Sequence, residues 1–284
     1  MTHRRDSLFV VFVLATTLVA APACHRTSPT EPTGLGGIPG FTLSGNPASS
    51  DGASWTYRIQ DAGVSYDLQG ILIAPSGSGP FPAVIISHGN SSNVAGYSRT
   101  IAREMVGWGL VCIATNYTHS GGVPIGSPGT ASEIGASQAN VLRTRRLVEI
   151  LRGLGSVDMN RVALHGHSLG AFVTEATAGA YPSLFRAASH TAGGITPDFI
   201  PDIIAGLAPT EAQIAGIRAP YQMHHGDRDL IVPVIADQLF DAALRARGVT
   251  RQLLIYPGAS HDDVRFDPVV LDRIRAWYRS NGVL

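Results

Sequence analysis

Ser168 stands in Gly166-His167-Ser168-Leu169-Gly170, entered from the apolar run Arg161-Val162-Ala163-Leu164-His165 and left through Ala171-Phe172-Val173-Thr174-Glu175-Ala176. A serine between two glycines at a strand-to-helix junction reads as a nucleophile elbow. The tight turn holds the hydroxyl out of the sheet, and the glycines make room for the backbone. A serine hydroxyl is a weak nucleophile near neutral pH, so it needs a base, and the base needs an orienting acid. Such groups follow in the order Ser, Asp, His. Asp227 and Asp229 come after the strand-like Tyr221-Gln222-Met223-His224-His225-Gly226, and His261 comes after Gln252-Leu253-Leu254-Ile255-Tyr256. Both groups lie where strands run out, at the sheet edge where open α/β folds place their sites. The chemistry available to this set is acyl transfer through an acyl-serine.

The remaining histidines offer competing chemistry. His165 and His167 form His-x-His, which invites a metallohydrolase reading, but no adjoining His/Asp ligand cluster accompanies them. His224 and His225 are neighbours on a strand, so they face opposite sides and cannot share a metal; they are expected as core and loop residues. No metal and no cofactor is expected. Asp262 and Asp263 follow His261 directly, too close in sequence to reach the nitrogen that needs orienting, and are expected as solvated loop acids.

The elements that must position these groups alternate. Trp55-Thr56-Tyr57-Arg58-Ile59 and Leu68-Gln69-Gly70-Ile71-Leu72-Ile73 predict an antiparallel hairpin, and Ala83-Val84-Ile85-Ile86-Ser87 the first fully buried strand. Further strands are expected over 110–115, 161–165, 187–191, 219–224 and 252–256. Helices are expected over 98–107, 132–154, 234–247 and 268–279. The alternation predicts an α/β fold, with a mostly parallel central sheet, an N-terminal antiparallel hairpin and helices on both faces. Residues 193–216 run between two strands with the apolar Phe199, Ile203 and Leu207. That excursion is expected to cover the site, and it is too short for a large lid, so the cleft should admit small or extended substrates.

Of 284 residues, 44% are apolar, enough for one large core. Lys plus Arg and Asp plus Glu number 21 each, so no basic field speaks for nucleic acid. No obligate protein partner is evident. Residues 1–23 carry Arg4 and Arg5, an apolar run from Leu8 to Ala15 and then small residues, and read as a signal peptide. The apolar run falls short of the roughly 20 residues of a membrane span. Residues 24–50, rich in Ser, Thr, Pro and Gly, read as a flexible tether, and 51–284 as the catalytic domain. Cleavage before Cys24 would leave a first residue resembling that of a bacterial lipoprotein, giving either a lipid-anchored or a secreted protein. Cys112 lies in an apolar run and is expected in the core, with no disulfide to Cys24.

Four further marks stand in one order: Ser87-His88-Gly89-Asn90 after an apolar strand, Val157-Asp158-Met159-Asn160-Arg161-Val162-Ala163 before the elbow, His225-Gly226-Asp227-Arg228-Asp229-Leu230-Ile231-Val232-Pro233, and Gly258-Ala259-Ser260-His261. In these the chain resembles the α/β-hydrolase superfamily, within it the dienelactone-hydrolase-like and polyester-hydrolase-like (cutinase-type) branches, over roughly residues 54–281. The resemblance implies Ser168 as nucleophile, His261 as general base and acid, and Asp229 as its partner. Asp229 takes that role over Asp227 because the family's acid stands just before the x-x-Val-Pro that here is Leu230-Ile231-Val232-Pro233. It also implies an oxyanion hole from the backbone N–H groups of Asn90 and Leu169, with His88 bracing that turn. Ser168 departs from the cysteine usual in dienelactone hydrolases, and Asn90 and His167 replace aromatics common in polyester hydrolases. A general carboxylic ester hydrolase is therefore the expectation. A peptidase or amidase, a polyester hydrolase and a non-catalytic binding module stand as the alternatives.

Overall fold

The computed structural model describes residues 37–61, 63–90, 92–122, 133–195 and 207–284. The export segment 1–23, Cys24, the tether as far as residue 36, and Phe199 and Ile203 lie outside the described residues. Among the described residues, nine strands form one sheet in the order β1-β2-β3-β5-β4-β6-β7-β8-β9. They are β1 (Phe41–Ser44), β2 (Ala53–Asp61), β3 (Val64–Ile73), β4 (Phe81–Ser87), β5 (Val111–Thr115), β6 (Val157–His167), β7 (Ala187–Thr191), β8 (Tyr221–Gly226) and β9 (Arg251–Tyr256). The α-helices are α1 (Arg99–Val106), α2 (Gln138–Gly153), α3 (Leu169–Ala180), α4 (Glu211–Ile214), α5 (Ile235–Ala246) and α6 (Pro268–Ser280), and a π-helical turn over Val94–Ser98 leads into α1.

β1, β2 and β3 pair antiparallel and β3 joins β5 antiparallel, while β5, β4, β6, β7, β8 and β9 run parallel. The sequence pattern explains the difference. In β2, Ala53, Trp55 and Tyr57 point inward while Ser54, Thr56 and Arg58 are exposed, as on a sheet wet on one face. β4 and β8 read as continuous buried runs because helices cover both faces. One apolar cluster joins the sheet to Leu147, Val148, Ile150 and Leu151 of α2 and to Phe240 and Leu244 of α5. A second takes Ile101 and Met105 of α1 and Val270, Ile274 and Tyr278 of α6. That last trio recurs every four residues, the spacing of one helix face, and Asp267 starts α6 by accepting the Val269 N–H ahead of Pro268.

Two expectations need correction. The tether does not extend to residue 50, because Phe41–Ser44 already pair with Ser54–Tyr57 and Phe41 packs on the Trp55 ring. α2 begins at Gln138 rather than 132, with the Ser137 side chain accepting the Asn140 N–H as its cap. Cys112 packs in the core as a free thiol, its pKa raised by burial. Among the described residues no helix is long and apolar enough to cross a membrane.

Candidate active site

β4 is flanked by β5 on one side and β6 on the other, so the chain reverses its direction of travel across the sheet at β4. Crevices at such switch points, beyond the carboxyl ends of the strands, are where open α/β sheets bind ligands. Here the turn Ser87-His88-Gly89-Asn90 leaves β4 and the elbow leaves β6 side by side.

Ser168 sits between β6 and α3 with φ +56°, a left-handed conformation rare for a residue with a side chain. Such strain costs on the order of 1–3 kcal/mol and persists only where the surroundings impose it. The Ser168 N–H donates to Thr191 O at 3.1 Å, and its own carbonyl accepts from Ala171 and Phe172 as α3 begins. Gly166 and Gly170 permit the approach: a Cβ at Gly166 would collide with the Gly170 carbonyl, and one at Gly170 with the carbonyls of Ser87 and His88. The hydroxyl is thereby fixed at the mouth of the sheet, and the Leu169 N–H is left in the first turn of α3, where backbone donors have no intrahelical partner.

Asp229 follows β8. Its Oδ1 accepts the N–H groups of Ile231 and Val232, both at 2.8 Å, and its Oδ2 accepts from His261 Nδ1 at 2.6 Å. Burial alone would raise its pKa, but donors from His225 and His261 and the Val232 N–H outweigh that and hold the carboxyl well below the usual range. Asp227 does something else: its Oδ1 accepts the Gly258 N–H at 2.7 Å, joining the loops after β8 and β9. Ser168 and His261 line one cavity of ≈ 360 Å³, whose walls include Asn90, Leu169, Phe172, Leu207 and Val232. A second hollow of ≈ 340 Å³ over β1–β3 has no His, Asp, Glu or Cys in its lining.

The other histidines divide by partner. His88 Nδ1 donates to Gly89 O at 2.9 Å, while its Nε2 accepts from the Tyr117 N–H at 3.2 Å and the Ser120 hydroxyl at 2.9 Å. Burial pushes its pKa down to about 4, so it is a neutral brace for the turn. His165 lies between the Tyr97 and Ser189 hydroxyls. His167 bonds Thr191 Oγ1 at 2.9 Å and packs its ring 4.9 Å from that of His261. Asp262 and Asp263 are exposed loop acids, as expected, and each also has a partner. Asp262 lines the cavity in an ion pair with Arg265 at 3.1 Å, and Asp263 accepts from the Ser260 N–H and hydroxyl, bracing the residue before His261.

The sequence left His225 and Asp237 out of the site. His225 Nδ1 lies 2.7 Å from Asp237 Oδ2 on α5, and its Nε2 lies 3.3 Å from Asp229 Oδ2. A signal for Asp237 was present: with Phe240 and Leu244 it occupies the fully buried stripe of α5, a carboxylate where an apolar residue belongs.

Residues 68–265 match the model of the dienelactone hydrolase family. An uncharacterised protein of Mycobacterium tuberculosis (strain ATCC 25618 / H37Rv) is 28% identical over 228 residues, 76% of each chain. Among solved structures, the thermophilic esterase Est2 of Thermogutta terrifontis superposes with a TM-score of 0.60 at 19% identity, covering 78% of this chain and 90% of its own. Dipeptidyl peptidase 4 of Porphyromonas gingivalis superposes with a TM-score of 0.65 at 15% identity, covering 80% of this chain but 35% of its own. At these identities the structural likeness shows the fold alone.

Proposed function

The chain belongs to the dienelactone hydrolase family, a group of α/β-fold hydrolases, and from that premise we propose that it is a serine esterase using Ser168, His261 and Asp229. The observation that carries the reading is the 2.6 Å hydrogen bond from His261 Nδ1 to Asp229 Oδ2, on the wall of the cavity that also holds Ser168. With Nδ1 donating, the Nε2 lone pair is the one left to act as base.

Ser168 Oγ attacks the ester carbonyl as His261 Nε2 takes its proton, and the N–H groups of Asn90 and Leu169 hold the oxyanion. The imidazolium returns the proton to the departing alkoxide. Water then enters, gives a proton to the same nitrogen and releases the acid from Ser168. Asp229 keeps the ring in the working tautomer and stabilises its charge without taking the proton.

An amidase is the second reading, since the three groups alone do not separate ester from amide. Esters are favoured because alkoxide is the better leaving group, so a triad that opens amides opens esters as well. A chromogenic ester should give a burst of one equivalent of alcohol, and a serine-reactive phosphonate should label Ser168. Ser168→Ala should abolish both and lower kcat by roughly 10⁶-fold with the fold intact. Near-normal turnover in the folded variant would remove serine catalysis. A peptide anilide cleaved with higher kcat/KM than any ester would make the protein a peptidase, and neither turnover nor labelling would leave a binding module.

A further inference from the structure

The core behind Asp229 holds ionisable side chains that acyl transfer does not use. His225, near the end of β8, is fully buried. Its Nδ1 lies 2.7 Å from Asp237 Oδ2, and its Nε2 lies 2.8 Å from the Val232 carbonyl oxygen and 3.3 Å from Asp229 Oδ2. Deeper still, Asp237 Oδ1 lies 2.7 Å from His190 Nε2 on β7. His190 Nδ1 is in turn 3.0 Å from Glu175 Oε1 on α3 and 3.2 Å from the Tyr221 hydroxyl. The side chains of Asp229, His225, Asp237, His190 and Glu175 are all without solvent exposure.

A neutral imidazole has one N–H and one lone pair. Both nitrogens of His225 face acceptors, the Asp237 carboxylate on one side and the Val232 carbonyl and Asp229 carboxylate on the other. A neutral ring would set its lone pair against one of them in a medium of low dielectric, where such a contact is costly. His165, buried on β6, shows the contrast. Its partners are two hydroxyls, which donate as readily as they accept, and burial pushes its pKa down to about 3.

We propose that His225 is a positioning residue held as an imidazolium, and that it shares Asp229 Oδ2 with His261 so that the triad carboxylate divides its charge between two rings. The proposal rests on the reading of Ser168, His261 and Asp229 as the triad. Burial opposes the charge on His225, but the bonds to Asp229 and Asp237 outweigh it and push the ring up to about 10. Burial likewise opposes the charge on Asp237, yet the two imidazoles hold it well below the carboxylate range. From the triad inward the signs alternate: Asp229 negative, His225 positive, Asp237 negative, His190 positive. Glu175 closes the series, pushed up to about 7 chiefly by burial. Glu175, His190 and Asp237 also lie close enough to suggest a cation site. His190, however, stands between the carboxylates with one nitrogen toward each, the geometry of a paired imidazolium.

The charged groups that His225 faces are therefore Asp229, on the loop after β8, and Asp237 on α5; His190 on β7, Glu175 on α3 and Tyr221 on β8 lie behind Asp237, and His261 beyond β9 lies behind Asp229. A fixed cation at Asp229 weakens that carboxylate's hold on a proton at His261. Remove the cation and a protonated His261 gains stability, so the base is freed only at higher pH.

The test uses the full chain. In ring-nitrogen NMR of ¹⁵N-histidine protein at about pH 8, above the ordinary histidine range, the signal lost in His225→Gln should carry hydrogen on both nitrogens. One bare nitrogen would overturn the proposal. In the kcat/KM profile for a p-nitrophenyl ester, His225→Gln should move the acid limb up by about one pH unit, a roughly tenfold rate loss on the limb. Should Asp237, deprived of a partner, prevent folding, His225→Gln combined with Asp237→Asn removes both charges, keeps an amide hydrogen bond and should shift the limb in the same direction. An unmoved limb in a folded variant overturns the shared carboxylate. The NMR readout needs no turnover, so its failure is separable from failure of the esterase reading.

Discussion

His261 stands 32 residues beyond Asp229, yet its Nδ1 lies 2.6 Å from the carboxylate Oδ2. The two sit on loops leaving the adjacent parallel strands β8 and β9, and Asp227 ties those loops through the Gly258 N–H at 2.7 Å. Asp229→Asn should lower kcat on the order of 10⁴-fold, because the amide favours the wrong imidazole tautomer. Asp227→Asn keeps an acceptor oxygen for Gly258 and should leave kcat nearly unchanged. Steady-state kinetics on the two purified variants decides the assignment, and the reverse ranking would move the role to Asp227.

His88 joins Gly89 O, the Tyr117 N–H and the Ser120 hydroxyl, so it fixes the turn that carries Asn90. His88→Ala should lower kcat by roughly 10²-fold through misplacement of that turn, with little change in KM. The acid limb of the pH profile should stay where it was, since His88 is already neutral across the working range. Loss of that limb would instead make His88 a base.

The parts of this site that were legible in the sequence are those fixed by local grammar. Gly166-His167-Ser168-Leu169-Gly170 announces the turn in five consecutive residues, although Thr191 and the turn after β4 hold it in place, and the apolar runs of β4, β6 and β8 announce strands buried on both faces. β1 was not legible: four residues in a Pro/Gly/Ser-rich stretch become a strand only because β2 offers an edge and Trp55 a surface. The charge of His225 was not legible either. It depends on a carboxylate of α5, 12 residues away in sequence, and on the loop bringing Val232 back to Nε2.

Buried histidines of both kinds make stability depend on pH in opposite senses. His190 and His225 are pushed up, to about 9 and about 10, as their carboxylate partners outweigh burial. The folded chain keeps protons that the unfolded chain releases above about pH 6.5, so this contribution is full below that value and lost as pH rises toward 9–10. His88, His119, His165, His167 and His224 are pushed down by burial, and their contribution is full above about pH 6.5 and lost as pH falls. Five rings act on the acid side against two on the alkaline side. Calorimetric Tm values from about pH 5 to about pH 9 should peak near pH 7 and fall more steeply toward acid. A steeper alkaline fall would contradict the two charged rings.

We propose that residues 1–23 direct export and that Cys24 becomes a lipid attachment point, from the Arg4–Arg5 start, the apolar run and the small residues before the cysteine. Cell fractionation should place the protein outside the cytoplasm. A detergent-phase partition lost on Cys24→Ala would support the anchor, and an aqueous exported chain would exclude it. A cytoplasmic chain retaining Met1 would refute both.

The oxyanion role proposed for Asn90 belongs to its backbone N–H, not its side chain, and that distinction has a direct test. Asn90 leaves the turn after β4 and lines the cavity with Ser168 and Leu169. A tetrahedral intermediate on Ser168 would carry its charge toward this turn and the start of α3, where the helix dipole also favours an anion. Asn90→Ala keeps the backbone hydrogen and should retain most activity. Asn90→Pro deletes it, and losing one oxyanion donor costs about 2.7–4 kcal/mol, or roughly 10²–10³ in kcat. Because proline can also distort the turn, the Tm of each variant and its labelling by a phosphonate are measured alongside. If Asn90→Ala is as damaging as Asn90→Pro in folded protein, the amide side chain holds the charge and the backbone assignment is wrong.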